Sequence, residues 1–160
     1  MLESVFGKEK DLFFMSEALL QAQKAAELDE VPIGAVVVNA EGIIIGRGHN
    51  SVERDNTQCS HAEIKAIAQA GKFLGDWRLD GCWIYVTLEP CSMCIGLIRL
   101  SRLKGVVYGA DSPVFGFQLD NGNDLWVYKK DAFLLIEGVK SDESSMLLKS
   151  FFKKKRKASE

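Results

Sequence analysis

Apolar positions recur along this chain in two rhythms, one helical and one extended. Leu12, Met15, Leu19, Ala22 and Ala26 follow each other at three- and four-residue spacing, which predicts an amphipathic helix over about 9–28. Val31-Pro-Ile-Gly breaks that pattern, and AVVVN followed by GIIIGRG reads as a β-hairpin turning at Ala40-Glu-Gly. The helical rhythm returns in HAEIKAIAQAGK, from His61 to Lys72, where Ile64, Ile67 and Ala68 form one apolar face. CWIYVTL, from Cys82 to Leu88, is apolar, β-branched and aromatic, and has the length of a buried strand. Pro90 punctuates it, CSMCIGLIRLSR continues as a helix, and KGVVYG at 104–109 is another strand. A loop rich in Gly, Pro, Asn and Asp follows from Asp111 to Asp124, with Leu125-Trp-Val-Tyr as a candidate ordered stretch after it. Phe133 to Ile136 predicts a last short strand, and a C-terminal helix is expected from about 141 to 157.

Helices interleaved with buried strands imply an α/β layer architecture. The sheet should be mixed, with an antiparallel hairpin at one end and parallel crossovers elsewhere. No internal repeat, low-complexity block or Pro/Gly/Ser linker divides the chain, so residues 1–160 are expected to form a single domain. At 160 residues and 47% hydrophobic, the chain is long enough to bury a sizeable core.

Composition narrows the setting. No run approaches the twenty apolar residues of a membrane span, and MLESVFGKEK lacks the basic start, apolar run and small-residue cleavage site of a signal peptide. A cytoplasmic protein is therefore expected, and in that compartment the four cysteines point to metal or redox chemistry rather than disulfides. The net charge of −2 conceals an uneven distribution. KSFFKKKRK, at 149–157, carries six basic groups and leaves 14 basic against 21 acidic residues in 1–148. Such a tail is either a solvated terminus or an arm that follows phosphates.

Two short segments carry candidate chemistry: His61-Ala62-Glu63 and Pro90-Cys91-Ser92-Met93-Cys94. Each lies at a predicted helix start. Cys91 and Cys94, three residues apart, share one face of a first turn, where free N–H groups and the positive dipole end favour thiolates. His61 can add a neutral imidazole. Three protein ligands with a fourth position left for water describe a catalytic rather than a structural zinc. Glu63, off the same helix end, could reach the water without being a ligand and serve as the group that exchanges protons.

Other readings remain open on the residues alone. Cys59 could close the site as a fourth ligand, or PCSMC could be a thiol-redox pair that leaves His61 and Glu63 idle. Cys82, inside an apolar strand, reads as core. His49, at a strand end, reads as surface or loop rather than ligand.

H-x-E followed by P-C-x-x-C is the signature of zinc nucleobase deaminases. Over nearly its whole length the chain resembles the bacterial tRNA adenosine deaminases, within the cytidine/deoxycytidylate deaminase superfamily. The matching segments are VPIGAVVV at 31–38, GRGHN at 46–50, HAEIKAI at 61–67, WRLDGCWIYVTLEPCSMC at 77–94, SRLKGVVYGA at 101–110 and SFFKKKRK at 150–157. The resemblance implies a cytidine-deaminase-like three-layer α/β/α fold around a mixed five-stranded sheet. It implies a homodimer with one zinc per subunit, and conversion of adenosine to inosine at the wobble position of a tRNA anticodon. It also implies that Asn50 lines the base pocket, where an amide can both donate to and accept from a base edge. One segment departs from the family: Gly109-Ala110-Asp111-Ser112-Pro113 keeps the start of a substrate-contacting loop. Val114 and Phe115, however, stand where a basic and a small residue are usual. Guanine deaminases share HAE and PCxMC, so a free-base guanine deaminase is the alternative enzyme. A catalytically silent RNA-binding subunit is the alternative outside enzymes, and intact Glu63 argues against it.

Overall fold

The computed structural model describes residues 3–120 and 133–160. The part of the 111–128 loop beyond Asp120, including Leu125–Tyr128, lies outside them. Helix α1 spans Lys8–Glu27, strands β1 and β2 span Gly34–Val38 and Ile44–His49, and a one-turn helix α2 covers Val52–Asp55. After a 3₁₀ turn at Gln58–Ser60 come α3 (Ala62–Leu74), β3 (Trp83–Leu88), α4 (Ser92–Leu100) and β4 (Gly105–Ala110). A second 3₁₀ turn at Phe117–Asp120 precedes β5 (Leu134–Ile136) and α5 (Ser141–Ala158).

The five strands form one sheet in the order β2-β1-β3-β4-β5. β1 is antiparallel to both β2 and β3, whereas β3–β4 and β4–β5 are parallel. This is the mixed sheet that the interleaved pattern predicts. Because side chains alternate along a strand, each central strand feeds two cores. Ala35, Val37, Ile84, Val86, Val106 and Tyr108 face Ala62, Ala66, Ile67, Ile95 and Ile98 of α3 and α4. Val36, Val38, Trp83, Tyr85 and Val107 face Phe14, Met15 and Ala18 of α1. Helices therefore cover both faces of the sheet. Cys82 is buried in the first of these cores, as its apolar setting predicts.

The hairpin turn is built by Asn39, whose side-chain oxygen accepts from the backbone N–H groups of Glu41 and Ile43 at 3.1 and 2.9 Å. Glycines on the strands let helices press directly on the sheet. A Cβ at Gly48 would stand 2.2 Å from the carbonyl oxygen of Ala62, and one at Gly46 would stand 2.2 Å from that of Ala66. Backbone cannot yield as a side-chain tip does, so Gly48→Ala must push the first turn of α3 off the sheet. Overpacking of this kind costs about 1–3 kcal/mol. The variant is expected to unfold several degrees below the native chain in a thermal melt monitored by circular dichroism, and an unchanged midpoint would contradict this packing.

No helix among the described residues is long and apolar enough to cross a membrane.

Candidate metal centre

Helices α3 and α4 begin beyond the ends of β2 and β3, which lie together at one end of the sheet, and their starts converge. His61 is the residue that precedes α3, in extended conformation at φ −67° and ψ 146°, and Cys91 holds the same position before α4 at φ −75° and ψ 168°. Cys94 lies in the first turn of α4. The positive ends of two helices therefore face one spot, a setting that favours anionic sulfur.

The ligand atoms of His61, Cys91 and Cys94 all lie within 4.8 Å of one another. His61 Nδ1 is 3.8 Å from Cys91 Sγ and 3.4 Å from Cys94 Sγ. A tetrahedral zinc, with Zn–S near 2.3 Å and Zn–N near 2.0–2.1 Å, requires an N···S edge of about 3.5–3.6 Å. The donor set and its spacing thus fit zinc. Cys59 is exposed and lies outside the group, which among the described residues consists of His61, Cys91 and Cys94. His49, at the end of β2, is also outside it.

The two sulfurs differ electrically. The hydrogen bond from Cys94, followed by that with His61, pulls the Cys91 thiol down to about 4. The same bond to Cys91, then burial, pushes Cys94 up. Glu63, two residues after His61, is buried, and that burial pushes its carboxyl above the ordinary range. The field of His61 and a hydrogen bond with Cys94 oppose the rise.

Asn50 follows β2 and is buried. Its backbone N–H donates to Ile33 O at 3.0 Å and its side-chain amide to Val31 O at 3.2 Å. The next residue, Ser51, donates to Ser60 O at 3.0 Å, which ties the Asn50 end of the loop to the residue before His61.

Several residues that shape this region carry no signal in the sequence. Buried Glu30 accepts from the backbone N–H groups of Glu53 and Arg54 at 3.2 and 2.6 Å and so caps α2. Asp55 accepts from Ser51 Oγ at 2.6 Å and Ser60 Oγ at 2.7 Å, and Lys65 of α3 lies 3.3 Å from the same carboxylate. Gln58 Oε1 is 2.9 Å from His61 Nε2. On the other side, buried Glu89 accepts from Ser112 N at 3.0 Å, and Phe117 N donates to Pro90 O at 3.0 Å. The atypical 112–117 segment is therefore moored to the residues just before Cys91, leaving Val114 and Phe115 exposed.

Residues 8–110 match the family described as the cytidine and deoxycytidylate deaminase zinc-binding region. The chain is 42% identical over 152 residues to a tRNA-specific adenosine deaminase of Bacillus subtilis, covering 92% of each chain. It superposes with a TM-score of 0.77 on a structure from work on A-to-I editing by tRNA:A34 deaminases at the wobble position of transfer RNA. That match is 39% identical and covers 85% of this chain and 99% of the other. A Bacillus subtilis guanine deaminase matches at 40% identity and a TM-score of 0.58, over 62% of this chain and 63% of its own.

Proposed function

The chain belongs to the cytidine and deoxycytidylate deaminase family, and from that premise we propose that it is a zinc-dependent deaminase converting adenosine to inosine at the wobble position of a tRNA anticodon. The observation that carries the reading is the 42% identity to a tRNA-specific adenosine deaminase along 92% of both chains. By contrast, the guanine deaminase that matches at 40% identity covers only 62% of this chain, and a Nitrosomonas europaea guanine deaminase that covers 88% of it is only 23% identical.

In this reading His61, Cys91 and Cys94 hold one zinc per subunit. Bound there, zinc would supply the Lewis acidity that makes water a nucleophile at neutral pH. Glu63 takes a proton from the water whose oxygen bonds to C6 of the adenine and gives it to N1. The second water proton then passes through Glu63 to the exocyclic amino group, the C6–N bond breaks, ammonia leaves and the C6 carbonyl of inosine remains. Burial raises the Glu63 pKa above the ordinary carboxylate range, which favours the protonated form from which it donates. Asn50, held by Val31 and Ile33, presents its amide to the edge of the base. The protein acts in the cytoplasm as a homodimer. Support for self-association comes from a shallow groove of about 560 Å³ lined by Ile64 and Ile67 of α3, Leu97 of α4 and the exposed Trp77 that follows α3; Met93 and Leu100 of α4 are exposed as well.

Helix α5 carries the basic tail. Phe151 is half-buried, but Phe152 is 44% exposed, so only the first of these two aromatics is positioned to anchor the helix end. Lys155 pairs with Asp29 at 2.5 Å, while Lys153, Lys154, Arg156 and Lys157 are exposed and suited to tRNA phosphates.

The test incubates purified protein with total tRNA, free guanine and cytidine, and measures inosine, xanthine and uridine. Inosine in tRNA is the expected product, and xanthine without inosine would move the assignment to free guanine. A parallel truncation after Phe152 should keep zinc and weaken tRNA binding. It should also flatten the salt dependence by about 0.7–0.9 in logarithmic slope for each phosphate that the shortened chain no longer neutralises. Unchanged tRNA affinity through a salt titration would remove the arm from the proposal.

A further inference from the structure

We infer that Gln58 is a positioning residue for the metal site, fixing which nitrogen of the His61 ring is offered to the ion. The inference rests on the reading of His61 as a ligand. A neutral imidazole carries one N–H and one bare nitrogen, and only the bare nitrogen can coordinate. In this site Nδ1 faces the sulfurs of Cys94 and Cys91 at 3.4 and 3.8 Å, while Nε2 lies 2.9 Å from Gln58 Oε1. An amide oxygen only accepts, so it keeps the ring proton on Nε2 and leaves the Nδ1 lone pair aimed at the cysteines. The same hydrogen bond sets the ring plane and raises the donor strength of Nδ1.

The backbone around Gln58 is built to hold this contact. Gln58 opens the 3₁₀ turn Gln58–Ser60, and the preceding Thr57 accepts from Cys59 N through its hydroxyl at 3.1 Å. At the far end of the turn, Ser60 donates its hydroxyl to Asp55 at 2.7 Å and accepts from Ser51 N at 3.0 Å. The turn thus folds the amide back three residues onto the imidazole. Outer partners of metal-bound histidines change affinity by about 10–100-fold. Gln58 is exposed, so water can partly replace it, and the lower end of that range is expected.

The deciding experiment follows zinc transfer from the purified holo protein to a competing chelator, for the native chain, Gln58→Met and Gln58→Glu. Methionine keeps the length of the side chain without the oxygen and should weaken zinc binding about tenfold. Glutamate restores an acceptor and should hold zinc at least as tightly as the native chain, with equal circular dichroism in all three. Equal retention by Gln58→Met and the native chain would overturn the inference. Equal weakening in Gln58→Met and Gln58→Glu would do so too, because it would mark a role in the turn and not in the hydrogen bond. A native protein that holds no zinc would instead overturn the underlying assignment of His61, Cys91 and Cys94.

Discussion

Glu63→Gln is expected to retain zinc, fold and tRNA binding while turnover falls by about 10²–10⁴-fold, the range for removal of a general acid–base group. The substitution preserves size and hydrogen bonding, so the packing of α3 against β2 has no reason to change. What it removes is the ability to accept a proton and pass it on. The position of Glu63 makes that loss hard to bypass. The side chain is buried in the first turn of α3, two residues from His61, and bulk water cannot take over a proton relay there. Single-turnover inosine formation, measured beside zinc content and tRNA affinity, checks the result. Near-native turnover would remove Glu63 from the mechanism, whereas absence of zinc would recast it as part of the metal scaffold.

The second large effect is expected at Cys91. Cys91→Ala should weaken zinc binding by more than the roughly 100-fold upper limit for an outer partner, because one of three donors is gone. Deaminase activity should disappear with the metal. Cys59→Ala should retain zinc, since Cys59 is exposed and outside the cluster of ligand atoms. Cys82→Ala should retain it as well, as that thiol is buried in the core between the sheet and helices α3 and α4. Elemental analysis of the three variants separates the possibilities. Absence of zinc from Cys59→Ala would restore the closed four-ligand site, and zinc kept by Cys91→Ala would dismiss the assignment of that cysteine.

The helices and strands were legible where packing imposes a period. The helix expected over about 9–28 is α1 at Lys8–Glu27, the strand expected at 82–88 is β3 at Trp83–Leu88, and the helix expected from 141 is α5. The SVERDNTQCS segment has no such period. Its short α2 helix and 3₁₀ turn are held by polar contacts instead, among them Glu30 to the backbone of Glu53 and Arg54. A carboxylate more than twenty residues upstream leaves no local trace of its role. Glu89 and Gln58 were not legible for a related reason: an acid or amide of ordinary type becomes meaningful only once its partner is known.

Sequence by itself determined the chemistry on offer and the elements that carry it. His61 and Glu63 open one helix, Cys91 and Cys94 open another, and residue type and spacing along a single turn are local properties. Tertiary structure decided whether those two helix starts meet. They are separated by a full crossover, and they converge because β3 pairs with β1 on one side and β4 on the other, setting α3 and α4 side by side on one face. Strand partners are chosen by the fit of whole surfaces, including the glycine contacts of β2 with α3, and hydrophobic periodicity does not encode that choice. The same placement brings Gln58 onto the imidazole and moors the 112–117 segment against Pro90, so the surroundings of the candidate ligands belong to the fold rather than to the motif.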